Sequence, residues 1–441
     1  MYIIGNGRLV TRNSHNDFYD NGAVVTNGNL IVDVGEYSDL RKKYPEAEFI
    51  NAKGGVIMPA YINTHHHIYS AFARGLSIKG YSPKNFDDIL EGMWWALDRK
   101  LSLEDTYYSA LTTYIDCIKN GVTTVFDHHA SFGSVLGSLN QISRAADELG
   151  IRTCLCYEVS DRDGDDKAEY SIKENADFIS ECGKNPMQAG MMGLHASFTL
   201  SDKTLELARK HTPSWTGVHV HVAEALSDVQ KTLQKHGKRI INRLYDFDLL
   251  GVNSIVVHCV HINSSEMDLI KSTHTMVVHN PESNMGNAVG CPPSMEMMKR
   301  GLLVGLGTDG YTSDMLESYK VANILHKHNT CDPTAAWGEI PQMLFENNRI
   351  IAERFFDTKL GTLEPDASAD IIITDYDPLT PMSADNVNGH ILFGMNGKST
   401  VFTMANGRIL MKDRKLTMVN EADVYKESRR LAKMLADRIN A

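Results

Sequence analysis

Short and almost wholly apolar segments recur along the middle of the chain, each followed by a loop and an amphipathic stretch. The eight segments are Val56–Ile62, Val122–Asp127, Ile151–Glu158, Ala189–His195, Gly217–Val222, Ser254–Cys259, Thr275–His279 and Leu302–Thr308. Strands that are apolar along their whole length are typical of a parallel sheet that is covered on both faces. Eight such strands alternating with helices predict an α/β fold, a (β/α)8 TIM barrel rather than an open sheet.

The two ends of the chain instead contain short strands separated by turn dipeptides. The predicted strands are Tyr2–Ile4, Arg8–Thr11, Ala23–Thr26, Leu30–Val34, Asp370–Asp375, Ser399–Met404 and Arg408–Met411. Hairpin turns are predicted at Asn6-Gly7, Asn27-Gly28 and Asn406-Gly407. Neither end is large enough to be stable alone, so we expect a composite, discontinuous β-sandwich of residues 1–55 and 360–441. Residues 56–359 then form the barrel, and Glu421 to Asn440 form a surface helix.

Composition restricts the partners and the location of the protein. The formal charge is -11 and no Lys/Arg cluster occurs, which argues against nucleic acid as a partner. The chain has no apolar run of about 18 residues, so no membrane span is expected. The N-terminus lacks a signal-peptide pattern, and the seven scattered cysteines fit reduced, buried thiols. We expect a cytoplasmic homo-oligomeric enzyme, dimeric or tetrameric, with a small-molecule substrate.

Histidine and aspartate side chains follow the predicted strands, where barrel enzymes place their functional groups. His65 and His67 end strand one and share one side of it, because residues two apart in a strand point the same way. The other strand-end residues are His195 after strand four, His221 after strand five, His258 after strand six and Asp309 after strand eight. A chance arrangement of this kind is improbable, and the pattern predicts a shared site.

Three imidazoles and a carboxylate suit one divalent metal ion, Zn²⁺ first and Fe²⁺ as the alternative. We assign His65, His67 and His221 as nitrogen ligands and Asp309 as the oxygen ligand. Strand four ends in His195 and offers no lysine to bridge a second ion. A bound metal lowers the pKa of its water to about 7 and so supplies hydroxide at neutral pH.

Two further residues are predicted to take part in the chemistry. Glu224 follows His221 by three residues and can shuttle a proton to the substrate and then to the leaving group. His258 can hold the attacking hydroxide or polarise the attacked group. Structural alternatives remain open, because Asp309 also suits a Thr-Asp-Gly turn and Glu224 also suits a helix N-terminus.

Several other residues have no single assignment from the sequence. His219 is expected to pack behind the site, and His128 and His129 are placed to line its mouth without an assigned role. Residues 72–99 are expected to cap the mouth, where Trp95 can stack on a flat heterocycle. Trp94 and Trp95 equally suit a helix anchor or a subunit contact. Arg162 suits either an acidic substituent of the substrate or a solvated loop charge.

The motifs together resemble a known family over nearly the whole chain. They are His65-x-His67, His221-Val-Ala-Glu224, His258-Cys-Val-His261, His279-Asn-Pro281-x-Ser-Asn284, Gly307-Thr-Asp309 and a return motif beginning at Gly361-Thr-Leu-Glu-Pro. This set is similar to the amidohydrolase superfamily, in the mononuclear branch of guanine, cytosine and S-adenosylhomocysteine deaminases and triazine hydrolases. The stretches Phe126–Ser131 and Tyr157–Arg162 are most similar to aminohydrolases of the SsnA type. Ala60 departs from the glycine usual in the family.

The resemblance implies residue roles and a reaction class. It implies metal ligation by His65, His67, His221 and Asp309, proton transfer by Glu224 and Asp309, and substrate contacts by His195 and His258. The implied reaction is hydrolysis of a C–N bond in a nitrogen heterocycle through metal-bound hydroxide. Deamination of a purine-like cyclic amidine is the leading case. Ring opening of a cyclic amide, or loss of halide or alkylamine from a triazine-like ring, is the alternative. A non-catalytic scaffold would show gaps in the ligand set, and none is present.

Overall fold

The structure, a computed structural model, describes residues 1–441 and contains strands in three hydrogen-bonded groups. The strands are β1 Tyr2–Val10, β2 Phe18–Asn27, β3 Leu30–Glu36, β4 Glu48–Asn51, β5 Val56–Pro59, β6 Tyr61–His66, β7 Val122–His129, β8 Arg152–Tyr157, β9 Gln188–Gly190, β10 Met192–Ala196, β11 Val218–Val222, β12 Ile255–His258, β13 Met276–His279, β14 Val304–Leu306, β15 Ile371–Thr374, β16 Thr400–Ala405, β17 Arg408–Lys412 and β18 Lys415–Leu416.

Helices separate most of the central strands and cover the outside of the fold. The α-helices are α1 Tyr37–Lys43, α2 Phe86–Ile89, α3 Trp95–Asp98, α4 Leu103–Lys119, α5 Ser138–Leu149, α6 Asp165–Cys182, α7 Asp202–His211, α8 Leu226–His236, α9 Ile240–Asp246, α10 Ser264–Ser272, α11 Pro281–Gly286, α12 Ser294–Lys299, α13 Met315–Thr330, α14 Glu339–Pro341, α15 Asn348–Glu353, α16 Val387–Gly394 and α17 Glu421–Asn440. Wider π-helical turns at Leu90–Trp94 and Gln342–Asn347 interrupt two of these helical stretches.

The central strands form the barrel. Strands β6 to β9 pair in parallel in one group, and β10 to β14 pair in parallel in another. Strands β9 and β10 are two parts of one interrupted strand, so the groups together supply eight barrel positions. Bridges between Val159 and Leu194 and between His66 and Asp309 join the groups at both seams. The predicted (β/α)8 fold class is therefore confirmed.

The first predicted barrel strand is divided between two sheets, which corrects the predicted continuous segment Val56–Ile62. Strand β5 pairs with β1 in parallel and with β15 in antiparallel fashion, outside the barrel. Strand β6 then pairs with β7 inside the barrel. Ala60 alone separates the two strands, and its amide N–H donates to the carbonyl oxygen of Asp370. The chain thus passes directly from the outer sheet to the strand that carries His65 and His67.

Both ends of the chain contribute to the outer sheet. Its nine strands follow the order β18-β17-β16-β15-β5-β1-β2-β3, with β4 beside β1. One face buries a separate apolar cluster whose members come from both ends: Ile4, Leu9, Val24, Ile31, Ile50, Ala52, Ile57, Leu363, Ala367, Ala369, Ile371, Ile373, Phe402 and Met404. We propose that residues 1–55 and 360–441 form one composite β-sandwich domain beside a barrel domain of residues 56–359. The separate cluster supports this division, except that β5 and its Ile57 join the outer sheet from the barrel side of the boundary.

Two of the three predicted hairpin turns are confirmed and one is wrong. Asn27 pairs with Leu30, and Ala405 pairs with Arg408, so Gly28 and Gly407 lie in tight two-residue turns. Asn6-Gly7 instead lies inside β1, where the pairing register with β2 shifts on both sides of Gly7. Asn6 adopts a φ of 59°, a conformation that serves a bulge as well as a turn. The predicted C-terminal helix matches α17. None of the helices combines the length and the apolar character needed to cross a membrane.

Candidate active site

The C-terminal ends of the barrel strands bring the predicted histidines together around one point. The ring centroids of His65 and His67 lie 4.8 Å apart, and those of His67 and His221 lie 5.2 Å apart. His258 stacks on His221 at a centroid distance of 5.5 Å. All of these side chains are buried, so the strand ends hold them in a cluster shielded from bulk water.

Backbone carbonyl groups fix the orientation of two of these imidazoles. The Nδ1 atom of His67 lies 2.6 Å from the carbonyl oxygen of His128, and Nδ1 of His221 lies 2.8 Å from that of His195. Each Nδ1 therefore carries the proton and donates it, which leaves both Nε2 atoms with a free lone pair. Histidines that ligate a metal are typically held in this way through the other ring nitrogen.

His65 contributes a third unpaired nitrogen. Its Nδ1 lies 2.9 Å from Nε2 of His219, whereas its Nε2 is buried without a hydrogen-bond partner. Burial, reinforced by the neighbouring imidazoles, lowers the pKa of His65 well below its ordinary value. Burial likewise lowers the pKa of His221 well below its ordinary value, and the neighbouring imidazoles of His128, His67 and His258 lower it further. Neutral imidazoles are the form that ligates metals.

These donor atoms fit a divalent metal ion. The Nε2 atoms of His67 and His221 face each other at 3.2 Å, and Oδ1 of Asp309 lies 3.3 Å from Nε2 of His67. Facing lone pairs repel each other unless a cation lies between them. The donor atoms of His65, His67 and Asp309 lie within 4.8 Å of one another. Nitrogen and carboxylate donors in such numbers suit zinc and similar ions.

Two carboxyl groups flank His258 beside the histidine cluster. The Nε2 atom of His258 lies 3.4 Å from Oε2 of Glu224 and 3.6 Å from Oδ2 of Asp309. The Nδ1 atom of His258 receives the amide N–H of Asn284 at 2.9 Å, so Nε2 carries the proton and faces the carboxyl groups. Asn287 donates to Oε1 of Glu224 at 3.2 Å. Proton donors and acceptors thus converge on one point.

The two carboxyl groups have pKa values shifted in opposite directions. Burial, and then the charge of Asp309, raises the pKa of Glu224 well above its ordinary value. Burial alone would raise the pKa of Asp309 too, but the imidazoles of His67 and His258 outweigh it and lower that pKa. A neutral acid beside an ionised base is the arrangement expected where one group donates a proton and the other accepts one.

Three strand ends at this site adopt left-handed backbone conformations without glycine. The φ angles are 48° at Ala223, 69° at His258 and 54° at Asp309. Such conformations cost energy for residues with a Cβ atom and cluster at functional sites. Asp228 supports one of them, because its Oδ2 accepts the backbone N–H of Ala223 at 2.8 Å. The strain aims Glu224, His258 and the Asp309 carboxylate into a common space.

That space is a pocket that His67, His221, Glu224 and Asp309 line together. Its wall combines the polar groups with aromatic and apolar side chains: His67, Tyr69, Phe86, Leu90, Trp94, Trp95, Glu158, His195, Ala196, Phe198, His221, Glu224, Asp228, His258, Asn287 and Asp309. The ring centroids of Trp95 and His195 lie 6.0 Å apart. The predicted capping segment thus supplies four of the apolar groups, Phe86, Leu90, Trp94 and Trp95.

Comparisons with known proteins agree with this arrangement. The profile described as "Amidohydrolase family" matches residues 56–410, and that of an imidazolonepropionase-like composite domain of bacteria matches residues 22–47. The chain belongs to the amidohydrolase family. It is 28% identical over 428 residues to a 5'-deoxyadenosine deaminase of Methanobrevibacter smithii, covering 94% of each chain.

Two zinc-bound crystal structures share the fold of this amidohydrolase. An adenosine deaminase from Xanthomonas campestris superposes with a TM-score of 0.86 at 19% identity, over 99% of this chain and 98% of the other. Atrazine chlorohydrolase TrzN from Arthrobacter aurescens gives a TM-score of 0.82 at 18% identity, over 98% of this chain and 100% of the other. Together with family membership, the deaminase relatives confirm the prediction of a metal-dependent hydrolase acting on carbon–nitrogen bonds of a heterocycle.

The expected positions of three residues in this amidohydrolase, His128, His129 and Arg162, are corrected by the structure. His128 and His129 do not line the mouth, since both are fully buried. His128 packs beneath His221 with ring centroids 4.5 Å apart, and His129 bonds Ser131 at 2.9 Å. Arg162 is neither solvated nor available to a substrate, because its side chain is 5% exposed and paired with Asp98 at 2.5 Å. His219 lies behind the site, as expected.

Sequence reasoning missed two carboxyl groups in the cavity of the amidohydrolase, those of Asp228 and Glu158. Glu158 follows β8, borders the cavity and receives the Nη2–H of Arg162 at 3.4 Å. Burial raises its pKa to about 8, although the Arg162 charge acts in the opposite direction. Its position at the end of the third predicted barrel strand, Ile151–Glu158, was a usable signal, because barrel enzymes place their functional groups at strand ends. Asn284 belongs to the quoted motif His279-Asn-Pro281-x-Ser-Asn284 but had no assigned role, and Asn287 carried no comparable signal.

Proposed function

We propose that this amidohydrolase is an aminohydrolase that deaminates a purine-like cyclic amidine, with adenine nucleosides as the first class to test. The supporting observation is the placement of Glu224 and Asp309 on either side of His258, at 3.4 and 3.6 Å from its Nε2 atom. A deamination needs a proton acceptor for the attacking water and a proton donor for the ring nitrogen. The 28% identity to a 5'-deoxyadenosine deaminase favours a purine over other heterocycles.

The proposed roles follow the order of bond changes. As the water oxygen bonds the carbon that carries the amino group, Asp309 accepts the water proton and Glu224 donates a proton to the ring nitrogen. His258 directs its Nε2–H at the attacking water oxygen and holds it in line with the carbon. Asp309 then returns its proton to the amino group, and the C–N bond breaks to release ammonia. Glu224 recovers a proton from the hydroxyl group as the carbonyl forms, so the residues return to their starting state.

The proposed metal ligands are His65, His67, His221 and Asp309. When bound, a divalent ion supplies an activated water near neutral pH. Trp95 and His195 are proposed to contact the heterocycle. His258 is proposed to contact the oxygen that adds to the carbon carrying the amino group. The orphaned Nε2 of His65 and the facing Nε2 atoms of His67 and His221 support the ligand assignment.

The finer predictions from the sequence belong to the same proposal. They are zinc as the ion, a homo-oligomer as the assembly, the cytoplasm as the location and purine metabolism as the context. The zinc-bound relatives of the same fold favour zinc over iron. Elemental analysis of protein purified without chelators tests the ion, and light scattering tests the assembly.

An ammonia-release screen tests the reaction. Metal-replete enzyme is incubated with adenosine, 5'-deoxyadenosine, adenine, guanine, pterins, cytosine and aminotriazines, and ammonia and the oxo product are measured together. Stoichiometric ammonia and hypoxanthine-type product from an adenine compound supports the proposal. Halide or alkylamine release from a triazine, or ring opening of a cyclic amide without ammonia, contradicts it in favour of the alternative hydrolyses.

A further inference from the structure

Glu158 is a buried carboxyl group that belongs neither to the histidine cluster's proposed metal ligands nor to the proton-transfer pair. It follows β8, its side chain is 4% exposed, and it borders the cavity. Its Oε1 accepts the Nη2–H of Arg162 at 3.4 Å. Its Oε2 makes no hydrogen bond in the chain, and Nδ1 of His128 lies 3.9 Å from it, beyond hydrogen-bond distance.

Arg162 fixes the position of this carboxyl group. The guanidinium of Arg162 donates two hydrogen bonds to Asp98, from Nη2 at 2.5 Å and from Nη1 at 3.4 Å. The guanidinium also lies over the rings of Phe132 and Trp95, at 4.0 and 4.9 Å from their centroids. Ion pairing and cation–π contacts hold a buried guanidinium firmly. Arg162 therefore stays with Asp98, and Glu158 is oriented by a rigid support.

The hydrogen-bonding capacity of Glu158 exceeds what the chain supplies. An ionised carboxyl group can accept about four hydrogen bonds, and a protonated one still keeps an accepting oxygen. Arg162 provides one long bond to Glu158, because its stronger bonds go to Asp98. Buried polar atoms almost always have at least one hydrogen-bond partner, so Oε2, which has none in the chain, suits a donor from outside it.

The carboxyl group of Glu158 lies within reach of a ligand held at the reaction site. The donor or acceptor atoms of Glu158, His195 and His221 lie within 4.8 Å of one another. Trp95 and Phe198 supply apolar walls of the same cavity. A flat heterocycle against these walls would present its edge or a substituent to Glu158.

We propose that Glu158 determines substrate specificity by accepting a hydrogen bond from an N–H or O–H donor of a purine-type ligand. The identity of the ligand class rests on the proposed function. A site that offers a buried acceptor discriminates against analogues that lack the donor, because the acceptor is then left unpaired. Glu158 thereby acts on substrate choice, whereas Glu224 and Asp309 act on the chemical step.

Product-type ligands test this role without depending on turnover. Binding of inosine and 2',3'-dideoxyinosine, which differ in sugar hydroxyls, is measured by calorimetry on the metal-loaded enzyme. Guanosine compared with inosine tests an exocyclic amino donor instead. In one of these two pairs, Glu158→Leu should weaken binding of the ligand that carries the additional donor by about 10- to 100-fold. Binding of the ligand without that donor should weaken by less than about 3-fold. Glu158→Gln keeps an accepting oxygen, so its affinity for the same donor-bearing ligand should fall by less.

Glu174→Gln is the matched control, because Glu174 is a buried glutamate that accepts the N–H groups of Gly137 and Leu139 away from the cavity. This control should leave binding of all three ligands unchanged. The proposal is overturned if Glu158→Leu weakens binding of both ligands in each pair equally or leaves binding unchanged. It is also overturned if the native enzyme binds no purine. If Glu158→Leu does not fold, Glu158→Gln decides alone, with at least about a 3-fold donor-specific loss required. Donor-specific binding without ammonia release would refute deamination and leave the role of Glu158 standing.

Discussion

The Nε2 atoms of His67 and His221 face each other at 3.2 Å, each with its lone pair exposed because Nδ1 donates to a backbone carbonyl. The two residues come from the first and fifth strands of the barrel, so the fold itself imposes this approach. Without a cation the contact is repulsive. With one, the same contact joins opposite sides of the barrel.

Replacement of either histidine should therefore empty the metal site. His67→Ala and His221→Ala are each expected to reduce the metal content from about one ion per chain to a small fraction, with the fold retained. His66→Gln is the matched control, because His66 lies between the proposed ligands His65 and His67 in the sequence but contacts Ser313 instead, at 3.3 Å. Elemental analysis and circular dichroism check both points. Two tightly held ions in the native enzyme would contradict the mononuclear assignment.

Glu224→Gln should separate binding from chemistry. The amide keeps the shape and the contact with Asn287 but cannot cycle a proton. We expect full metal content and a kcat lower by about 10²- to 10⁴-fold, the usual contribution of a general acid–base residue. Steady-state kinetics together with elemental analysis measure the effect. Turnover close to that of the native enzyme would favour a role for Glu224 at the start of the following helix only.

Asp309→Asn tests the residue with two proposed functions. Its φ of 54° is well tolerated by asparagine, so the backbone should not change. Asparagine retains one oxygen for the metal and no basic carboxylate. We expect part of the metal to remain and nearly all activity to be lost, as measured on metal-reconstituted protein. An active, metal-loaded variant would assign Asp309 to the turn rather than to the reaction.

Trp95→Ala should weaken substrate binding more than it slows the chemical step. Stacking of an aromatic side chain on a base contributes about 1–3 kcal/mol, so KM should rise by about 5- to 150-fold. Trp95→Phe should restore most of the loss. Trp215, which is 58% exposed and outside the cavity, provides a control at which alanine should have no kinetic effect. An unchanged KM in Trp95→Ala would indicate that Trp95 anchors a helix or a subunit contact instead of binding substrate.

The ion pair of Arg152 and Asp370 links the barrel to the outer sheet and should matter for stability. Nη1 of Arg152 lies 2.8 Å from Oδ1 of Asp370, and both side chains are at most 3% exposed. Arg152→Met leaves a buried carboxylate unpaired and should destabilise the protein by about 3–5 kcal/mol. Lys53→Met breaks an exposed pair with Asp413 and should leave the melting temperature nearly unchanged.

The pH dependence of this effect has a definite sign. Burial raises the pKa of Asp370, but the charge and hydrogen bonds of Arg152 outweigh it, so the folded-state pKa is lowered. The stabilisation is therefore complete above the unfolded-state pKa of about 3.9 and is lost as pH falls through the folded-state value. The difference in melting temperature between native protein and Arg152→Met should be largest near neutral pH and should narrow below about pH 4. A constant difference across this range would exclude the ion pair as its cause.

The sequence predicted the barrel and the histidine cluster because both depend on local patterns. Apolar runs define the strands, and residues at strand ends converge by geometry. Pairing between distant segments was less accessible. The division of Val56–Ile62 at Ala60 depends on antiparallel pairing with residues 371–374, which no local pattern encodes. Asn6-Gly7 likewise favours a turn or a bulge equally, and its pairing with β2 decides between them.

Side-chain direction accounts for the remaining differences. His128 ends a strand as His65 does, yet its Nε2 faces the carbonyl oxygens of Leu194 and His219 at 3.1 and 3.2 Å. Arg162 lies just beyond a strand and turns inward because Asp98, far from it in the sequence, supplies the opposite charge. Such choices depend on neighbours that a single sequence does not reveal.

The direct passage from β5 to β6 also bears on how the protein is made. The strand that carries His65 and His67 begins two residues after β5 ends, and β5 pairs with β15 at residues 371–374 of a 441-residue chain. On the ribosome, the two ligands therefore emerge early, while one neighbour of the strand that anchors them is still untranslated. The anchoring sheet is completed only after the barrel sequence has left the exit tunnel, so in a chain stopped before residue 371, β5 pairs with β1 alone.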